Sequence, residues 1–330
     1  MGTRVIASNV LANGLRTEFA DTYEVIRNRQ SDSRLSRVMD LSVGATNREH
    51  DFAYFEAAPH MTYWERHTTI PTDAMDSTTF NVPIYEWGRR VPWSKWDRKD
   101  DQTQTLMQMA RMAGQSAALL PERFFFDLLQ GGTATLPSTI NAPDGVGFFN
   151  ATDGDGGARF GATGGNTIAG AGVTAADILT DFYDTIVRFK QFEDGKDQPL
   201  LGDESLESGF IIIHPVELTE AMEQAFIQKR QVSSAGTATP SNIIHDASRT
   251  VELWGTPRLT DATDWYNFLA APPKQATFFV DREGVQEFSA LEGDNNSDSN
   301  RAKAEEYIQW ESRSSGAIAL PYGVIQTTNS

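Results

Sequence analysis

The chain has 330 residues, no cysteine and a formal net charge of −17, from 28 basic and 45 acidic residues. Because this length usually exceeds one hydrophobic core, we expect two sub-domains. The absence of cysteine excludes disulfides, thiolate metal sites and cysteine nucleophiles. Proteins that grip nucleic acid concentrate positive charge, so the acidic balance argues against that role. The sequence shows no signal-peptide core and no apolar run of membrane-spanning length, so we expect no membrane partner.

Residues 1–40 have the features of an N-terminal arm. Leu15, Phe19, Tyr23 and Ile26 recur at the spacing of an amphipathic helix, but the stretch is short and has little to bury within itself. Two interpretations remain open at this point. The segment is either an arm that extends away from its domain or an ordinary amphipathic helix packed on that domain.

Residues 41–96 are predicted to form a long β-hairpin. From Thr78 onward the pattern alternates, and we expect an extended segment at 62–69 to pair with it across a turn at 70–77. An isolated two-stranded hairpin is marginally stable in water, so this one needs a further surface to lie on. That surface belongs either to another molecule or, as the alternative, to the chain's own domain.

The same segment is rich in residues that are typical of interfaces. Residues 52–96 hold 10 of the 34 aromatic residues of the chain. Aromatic and arginine side chains are enriched at protein–protein contacts and often dominate their energetics. Pro83 and Pro92 suit an edge strand, because proline cannot donate a backbone hydrogen bond to a neighbour. The candidate interface residues are Trp64, Arg66, Trp87, Arg89 and Arg90.

A long helix is predicted after residue 100. Asp101 and Gln104 resemble a capping box at its start. Alanines and Gly114 keep one stretch slim enough for a close backbone approach, and Pro121 should kink or restart the helix. The expected apolar stripe consists of Leu106, Met109, Ala113, Ala117, Leu120 and Phe124.

The second half of the chain mixes helices and strands without regular alternation, which predicts an α+β fold. Residues 131–173 are glycine-rich and loop-like, and Thr174 with Asp177 forms a capping box before an amphipathic helix. The apolar run 210–213 predicts a buried strand, and His214-Pro215 leads from it into another helix. Further strands are predicted at 251–254, 277–280, 305–312 and 316–327.

No catalytic, cofactor-binding or metal-binding constellation is found in the sequence. The five histidines form no H-x-x-x-H pair, and the acidic turn at Asp153 has Gly164 where a calcium loop needs glutamate. Neither a phosphate-binding loop nor a nucleophile elbow occurs. We therefore expect a protein that is not an enzyme and needs no cofactor.

Four stretches, in this order and spacing, resemble the Mu-like phage major head subunit. They are Ala117–Leu129 with the island 147–150, the helix 178–192, the segment from Phe210 to about 226, and the tail 307–328. This subunit is a member of the tailed-phage major capsid protein family, which has the Johnson or Hong Kong phage fold. No single motif among the four is diagnostic, so the resemblance depends on their combination.

The resemblance implies a division of the chain and a function. It implies an N-terminal arm at 1–40, an extended loop (the β-hairpin) at 41–96, a peripheral domain with a long spine helix at 97–164, an axial domain at 165–275, and returning peripheral strands at 276–330. A chain of this family assembles with itself into the hexamers and pentamers of an icosahedral virion shell. The resemblance also implies assembly in the host cytoplasm with a portal, possible decoration proteins, and double-stranded DNA enclosed without sequence-specific binding.

Two departures from the family pattern carry expectations. Residues 41–94 contain no lysine, and Lys95 stands at the base of the loop, so we expect a shell without isopeptide cross-links. The arm begins almost directly, so we expect scaffolding to come from a separate protein. Two alternatives stay open: an encapsulin-like compartment shell within the same fold, and a soluble hydrolase with dispersed carboxylates.

Overall fold

A computed structural model describes residues 8–31, 34–47, 49–55, 77–94, 105–194, 197–227, 250–272, 275–290 and 305–329. The helices are α1 (Ser8–Ser31), α2 (Arg34–Val38), α3 (Thr105–Ala118), α4 (Leu120–Gln130), α5 (Ala175–Lys190), α6 (Asp203–Glu207) and α7 (Thr219–Phe226). The strands are β1 (Met39–Gly44), β2 (Glu49–Phe55), β3 (Ser77–Pro83), β4 (Tyr85–Ser94), β5 (Thr167–Ala169), β6 (Phe210–Pro215), β7 (Val251–Thr256), β8 (Trp265–Leu269), β9 (Thr277–Ala290), β10 (Glu305–Ile318) and β11 (Val324–Thr328). The class is α+β, as predicted.

The described strands form three sheets. A four-stranded sheet has the order β1-β9-β10-β4, a five-stranded sheet has the order β5-β11-β8-β6-β7, and β2 pairs with β3 alone. None of the described helices is long and apolar enough to cross a membrane.

The five-stranded sheet is covered on both faces. Phe210 and Ile212 of β6 pack in the core beneath α5 and α7, whereas Ile211 and Ile213 pack in the opposite core with the phenylalanines of α4. A strand buried on both faces reads as a continuous apolar run, so the prediction of a buried strand here is confirmed.

Helix α5 covers one face of this sheet and begins as predicted. The Thr174 hydroxyl accepts a hydrogen bond from the Asp177 backbone N–H, and the Asp177 carboxylate accepts one from the Thr174 backbone N–H. This reciprocal capping box satisfies donors that the first helical turn would otherwise leave unpaired. The expected apolar side chains of α5 are buried: Ile178, Phe182, Ile186 and Phe189.

The predicted long helix is divided into α3 and α4 near Pro121, as expected. Helix α4 ends at Gly131, whose φ of 60° is the left-handed conformation common at helix ends. The predicted stripe is wrong at Met109, which is 37% exposed. The buried face instead runs through Leu106, Ala110 and Ala113, because these residues meet α1. The predicted capping box at 101–104 lies outside the described residues.

Helix α1 packs along α3 of its own chain. A Cβ atom on Gly114 would stand 2.6 Å from the Phe19 carbonyl oxygen, so the predicted close approach is present. The ring of Phe19 stacks on Trp310 with a centroid separation of 4.2 Å. Of the two interpretations of the N-terminal segment, residues 8–31 match the helix packed on its own domain.

The hairpin prediction needs correction in its strand pairing. Strand β3 pairs with β2, from Glu49 opposite Pro83 to Phe55 opposite Ser77. The predicted partner at 62–69 and residues 70–76 of the predicted turn at 70–77 lie outside the described residues, and Ser77 is the first residue of β3. Beyond Ile84 the hairpin prediction is wrong, because β4 pairs with β10 over its whole length in the four-stranded sheet.

The C-terminal strands also differ from their prediction. Strand β10 continues to Ile318 without the break predicted at 313–315, because β9 pairs with it along this stretch despite register shifts. The interruption falls at a turn that begins at Pro321, and β11 follows from Val324. The strand predicted at 277–280 extends to Ala290.

Candidate subunit interface

Strand β4 lies at one edge of the four-stranded sheet, and no other described strand pairs with its outer side. Unpaired strand edges are where another chain can add. The burial pattern along β4 alternates except at Gly88, Arg89 and Arg90, which are all exposed. Neighbouring side chains of a strand normally point to opposite faces of the sheet. Arg89 and Arg90 are neighbours, yet both are exposed to solvent at this edge.

Trp87 precedes the exposed arginines and points into the chain's own core. Its ring lies 5.0 Å from that of Phe124, centroid to centroid, and its indole N–H donates to the Ser314 carbonyl oxygen at 2.9 Å. These contacts give Trp87 a role within the fold, and its predicted interface role stays untested. Trp64 and Arg66 lie outside the described residues.

Arg89 and Arg90 have no acidic partner in the described part of the chain. The Arg90 Nε–H donates to Gln309 Oε1 at 2.8 Å, and its guanidinium lies 4.1 Å from the centre of the Tyr307 ring. Both contacts of Arg90 are to uncharged groups. The two positive charges are thus left for other carboxylates.

Helix α3 and strand β4 enclose a groove of about 530 Å³. Its lining includes Val91, Met109 and Met112, the last of which is 62% exposed. Arg123 adds a third guanidinium group, whose described hydrogen bond is a long one of 3.4 Å to the Ser116 hydroxyl. Apolar side chains and arginines that line one groove have the composition of an interface anchor site.

Several other described arginines form ion pairs within the chain. Arg258 pairs with Glu122 at 2.7 Å, and Arg313 pairs with Glu86 at 2.8 Å. The exposed pair Arg111–Glu18 lowers the pKa of the Glu18 carboxyl, because the guanidinium donates hydrogen bonds to it. In the groove, by contrast, Arg89, Arg90 and Arg123 form no ion pair with a described carboxylate.

Only part of this groove can be predicted from the sequence. The aromatic and arginine content indicated Arg89 and Arg90, but nothing in the sequence connected them with Met112 and Arg123. Met109 was assigned to the core from its helical spacing. Burial of the α1 side of α3 is what turns these methionines outward.

A second cavity, of about 270 Å³, contains carboxylates without the features of a catalytic site. Burial raises the pKa of Asp264, whose oxygens accept from Gln326 Nε2 and the Asn329 backbone N–H. Hydrogen bonds from Thr263 lower the pKa of Asp261. Both carboxylates thus hold the local backbone and side chains in place.

The remaining candidate groups are structural as well. His214 is buried, its Nδ1 lies 2.8 Å from the Pro215 carbonyl oxygen, and burial lowers its pKa so that the neutral ring is favoured. Asp153 accepts hydrogen bonds from the backbone N–H groups of Asp155 and Gly157 within its own turn. Among the described residues, no group of three or more His, Cys, Asp or Glu side chains could hold a metal ion.

The arrangement of helices and sheets defines the fold class of tailed-phage capsid proteins. The capsid of the native GTA particle shares 11% identity over 90% of this chain and 89% of that chain, with a TM-score of 0.54. The capsid of cyanophage P-SCSP1u shares 13% identity over 88% and 87%, with a TM-score of 0.52. Microbacterium phage Oxtober96 shares 13% identity over 90% and 91%, with a TM-score of 0.51. Identities this low show a common fold.

The chain belongs to the phage capsid protein family, because residues 77–314 match the model of that family. It is a major capsid protein, a non-enzymatic structural component of the virion that assembles with copies of itself. A search of curated protein sequences finds no match.

Proposed function

We propose that this chain forms the hexamers and pentamers of an icosahedral shell around the double-stranded DNA of a tailed phage, as a Mu-like head subunit. Assembly takes place in the host cytoplasm with a separate scaffolding protein, a portal and, where required, a decoration protein. The acidic balance supports this role, since a net charge of −17 lets packaged DNA lie beside the wall without sticking.

The proposed division of the chain follows the two larger sheets except at β11, which lies between β5 and β8 in the five-stranded sheet. Residues 1–40 form the N-terminal segment, whose helix α1 packs on its own domain. Residues 97–164 and 276–330 form the peripheral domain, and 165–275 the axial domain. The separate core beneath α5 supports an axial unit. The pairing of β4 with β10 argues that the extended loop, proposed over 41–96, ends near Ile84.

The observation that carries the proposed contact is the set of arginines beside an edge strand that meet no carboxylate among the described residues. Because each copy carries an excess of carboxylates, a neighbouring copy supplies the missing negative charge. Arg89 and Arg90 bind carboxylates of an adjacent copy in the groove between α3 and β4, and Trp64 and Arg66 contribute to the same interface. Charge complementarity of this kind selects the partner and its register.

The shell is held together without covalent cross-links. Residues 41–94 offer no lysine for an isopeptide bond. Mass spectrometry of denatured particles should therefore give a single-chain mass, and a ladder of joined subunits would refute this part of the proposal.

Charge reversal tests the interface. We expect R89E/R90E to lower the yield of particles by at least about tenfold, the equivalent of ~1.4 kcal/mol in assembly free energy. Circular dichroism and thermal unfolding of the unassembled subunits should match the wild type. The R89K/R90K variant keeps the charge and should retain a substantial part of the yield. Normal particles from R89E/R90E would remove the proposed contact.

Negative-stain microscopy of the purified protein, with and without a scaffolding partner, tests the shell itself. Closed shells that contain DNA support the phage capsid, whereas shells loaded with protein would favour the encapsulin-like compartment. A uniform monomer under both conditions would contradict shell formation.

A further inference from the structure

Asn329 follows strand β11, and all but one of its polar groups form hydrogen bonds with Thr263 or Asp264. Its backbone N–H donates to Asp264 Oδ1 at 3.0 Å, its Nδ2 donates to the Thr263 carbonyl oxygen at 3.0 Å, and its carbonyl oxygen accepts from Thr263 Oγ1 at 2.8 Å. The exception is the side-chain oxygen Oδ1, which is buried and has no hydrogen-bond partner.

Asp181 on helix α5 also has one side-chain oxygen without a hydrogen-bond partner. Its side chain is 1% exposed, and its Oδ1 accepts from the Ala171 backbone N–H at 2.9 Å. Its other oxygen, Oδ2, is buried without a partner. Leaving a carboxylate oxygen unpaired away from water is costly, so this arrangement requires a donor.

Both unpaired oxygens lie beside Gly170. They lie 2.0 Å (Asn329 Oδ1) and 2.8 Å (Asp181 Oδ2) from the single point at which a Cβ atom on Gly170 would stand. Turning the Asn329 amide around would offer Nδ2 to Asp181, but it would place Oδ1 against the Thr263 carbonyl oxygen. The hydrogen bond to Thr263 therefore sets the amide orientation.

The charged groups that act on Asp181 are acidic. Asp184 and Asp177 lie on its own helix, and Asp264 holds the backbone of Asn329 from the loop before β8. The charges that contribute most to the raised pKa of Asp181 are those of Asp184 and Asp177. A negative charge on the Asp181 carboxylate would be repelled by these acidic groups.

We propose that Asp181 keeps its proton at neutral pH and donates a hydrogen bond from Oδ2 to Asn329 Oδ1. This bond joins α5 to the end of β11, the strand between β5 and β8 in the five-stranded sheet. It acts as a pH-sensitive lock on the C-terminal strand. The inference stands apart from the proposed shell contacts, because it concerns a single chain.

The expected sign of the pH dependence follows from the buried environment. Burial raises the pKa of Asp181, and the charges of Asp184 and Asp177 act in the same direction. A carboxyl group with a raised pKa binds its proton more tightly in the folded state. Its stabilising contribution is complete below the pKa of the unfolded chain and is lost as the pH rises through the pKa of the folded state.

The variant Asp181→Asn tests the lock, because its amide copies the protonated acid. The oxygen of the new amide can accept from Ala171 and its Nδ2 can donate to Asn329 without a titratable proton. Thermal unfolding of unassembled subunits should show the melting temperature of D181N equal to or above that of the wild type at neutral pH. The difference should grow as the pH rises, since only the wild type loses the bond.

Asp184→Asn is the matched control, because it removes a charge from an exposed position on the same helix. Its pH profile should keep the wild-type loss of stability with rising pH, but at a lower pH, because the charge of Asp184 raises the pKa of Asp181. Asp264 and Asp281, whose pKa values are also raised by burial, titrate in all three proteins and cancel in the comparison. In ¹³C NMR of aspartate-labelled subunits, the signal absent from D181N should report a protonated carboxyl at pH 7.

Two results would overturn the proposal. One is D181N less stable than the wild type at neutral pH with a parallel pH profile, which would mean that the charged carboxylate is required. The other is a melting temperature that EDTA lowers in the wild type but not in D181N, which would mean that a cation joins the two oxygens.

Discussion

The five-stranded sheet carries apolar side chains on both faces, whereas the four-stranded sheet leaves β4 at its edge with arginines in solvent. Around the first sheet, the buried Arg159 is satisfied within the chain. Along β4, Arg89 and Arg90 meet no carboxylate among the described residues. The difference separates a region whose buried arginine is paired within one copy from the region to which the proposed contact is assigned.

Arg159 represents the complete region. Its side chain is fully buried and pairs with Asp144 through two bonds of 2.7 and 3.0 Å. It also donates to the Phe148 carbonyl oxygen and to Asn166 Oδ1, and Asn166 donates onward to the Pro321 carbonyl oxygen. The glycine-rich loop and the turn before β11 are therefore held by one network.

Removing this arginine should have the largest effect on folding. Arg159→Met leaves Asp144 without its cation and should cost about 3–5 kcal/mol in the free energy of unfolding. Urea denaturation of unassembled subunits measures the loss. The control is Arg90→Met at the exposed edge, which should leave unfolding nearly unchanged but reduce particle yield. Equal losses in the two variants would break the comparison between the regions.

The contact between α1 and α3 should give the next largest effect. Gly114→Val forces side-chain atoms into the Phe19 backbone, whose carbonyl oxygen lies 2.6 Å from the Cβ position. We expect a loss of roughly 3 kcal/mol in the free energy of unfolding, because a backbone cannot yield as a flexible side chain can.

The control for this contact is Gly132→Val, where no atom lies within 4 Å of the Cβ position. Its cost should be well below that of Gly114→Val in the same urea titration. Similar values for both variants would mean that α1 does not pack on α3 in solution.

Substitution of Trp87 should have the smallest effect on stability. It also tests whether Trp87 differs from Arg89 and Arg90, which lie on the same strand. Trp87→Phe keeps an aromatic ring against Phe124 but removes the donor to the Ser314 carbonyl oxygen, at a cost of ~1 kcal/mol. Folded subunits of this variant should still assemble, in contrast to R89E/R90E. A loss of particles with unchanged stability would instead assign Trp87 to the interface.

Local features of the fold were predictable because short-range chemistry decides them. The capping box at Thr174, the restart at Pro121 and the buried run of β6 each depend on residues within a few positions of one another. Strand β8 was not predicted from the sequence, because the polar residue Asn267 interrupts its run of apolar residues. That amide is buried and donates to the Thr185 hydroxyl of α5, a partner 82 positions away.

The candidate interface was predictable only in part for the same reason. Arginines and aromatics within residues 52–96 indicated a contact segment, and Arg89 and Arg90 are indeed exposed. Their groove also needs Met112 and Arg123 from α3 and α4, which the sequence places elsewhere. Likewise, the spacing of Asp181 gives no hint that its carboxyl faces Asn329.

The sequence by itself determined the α+β class, the resemblance to tailed-phage capsid proteins and the elements that are encoded within one or two turns. Only the tertiary structure decided that β3 pairs with β2, that β4 joins β10, and that Met109 and Met112 of α3 face outward. The physical reason is that strand pairing and helix burial depend on contacts between residues far apart in the chain. Local propensities leave several such contacts open, and packing selects one of them.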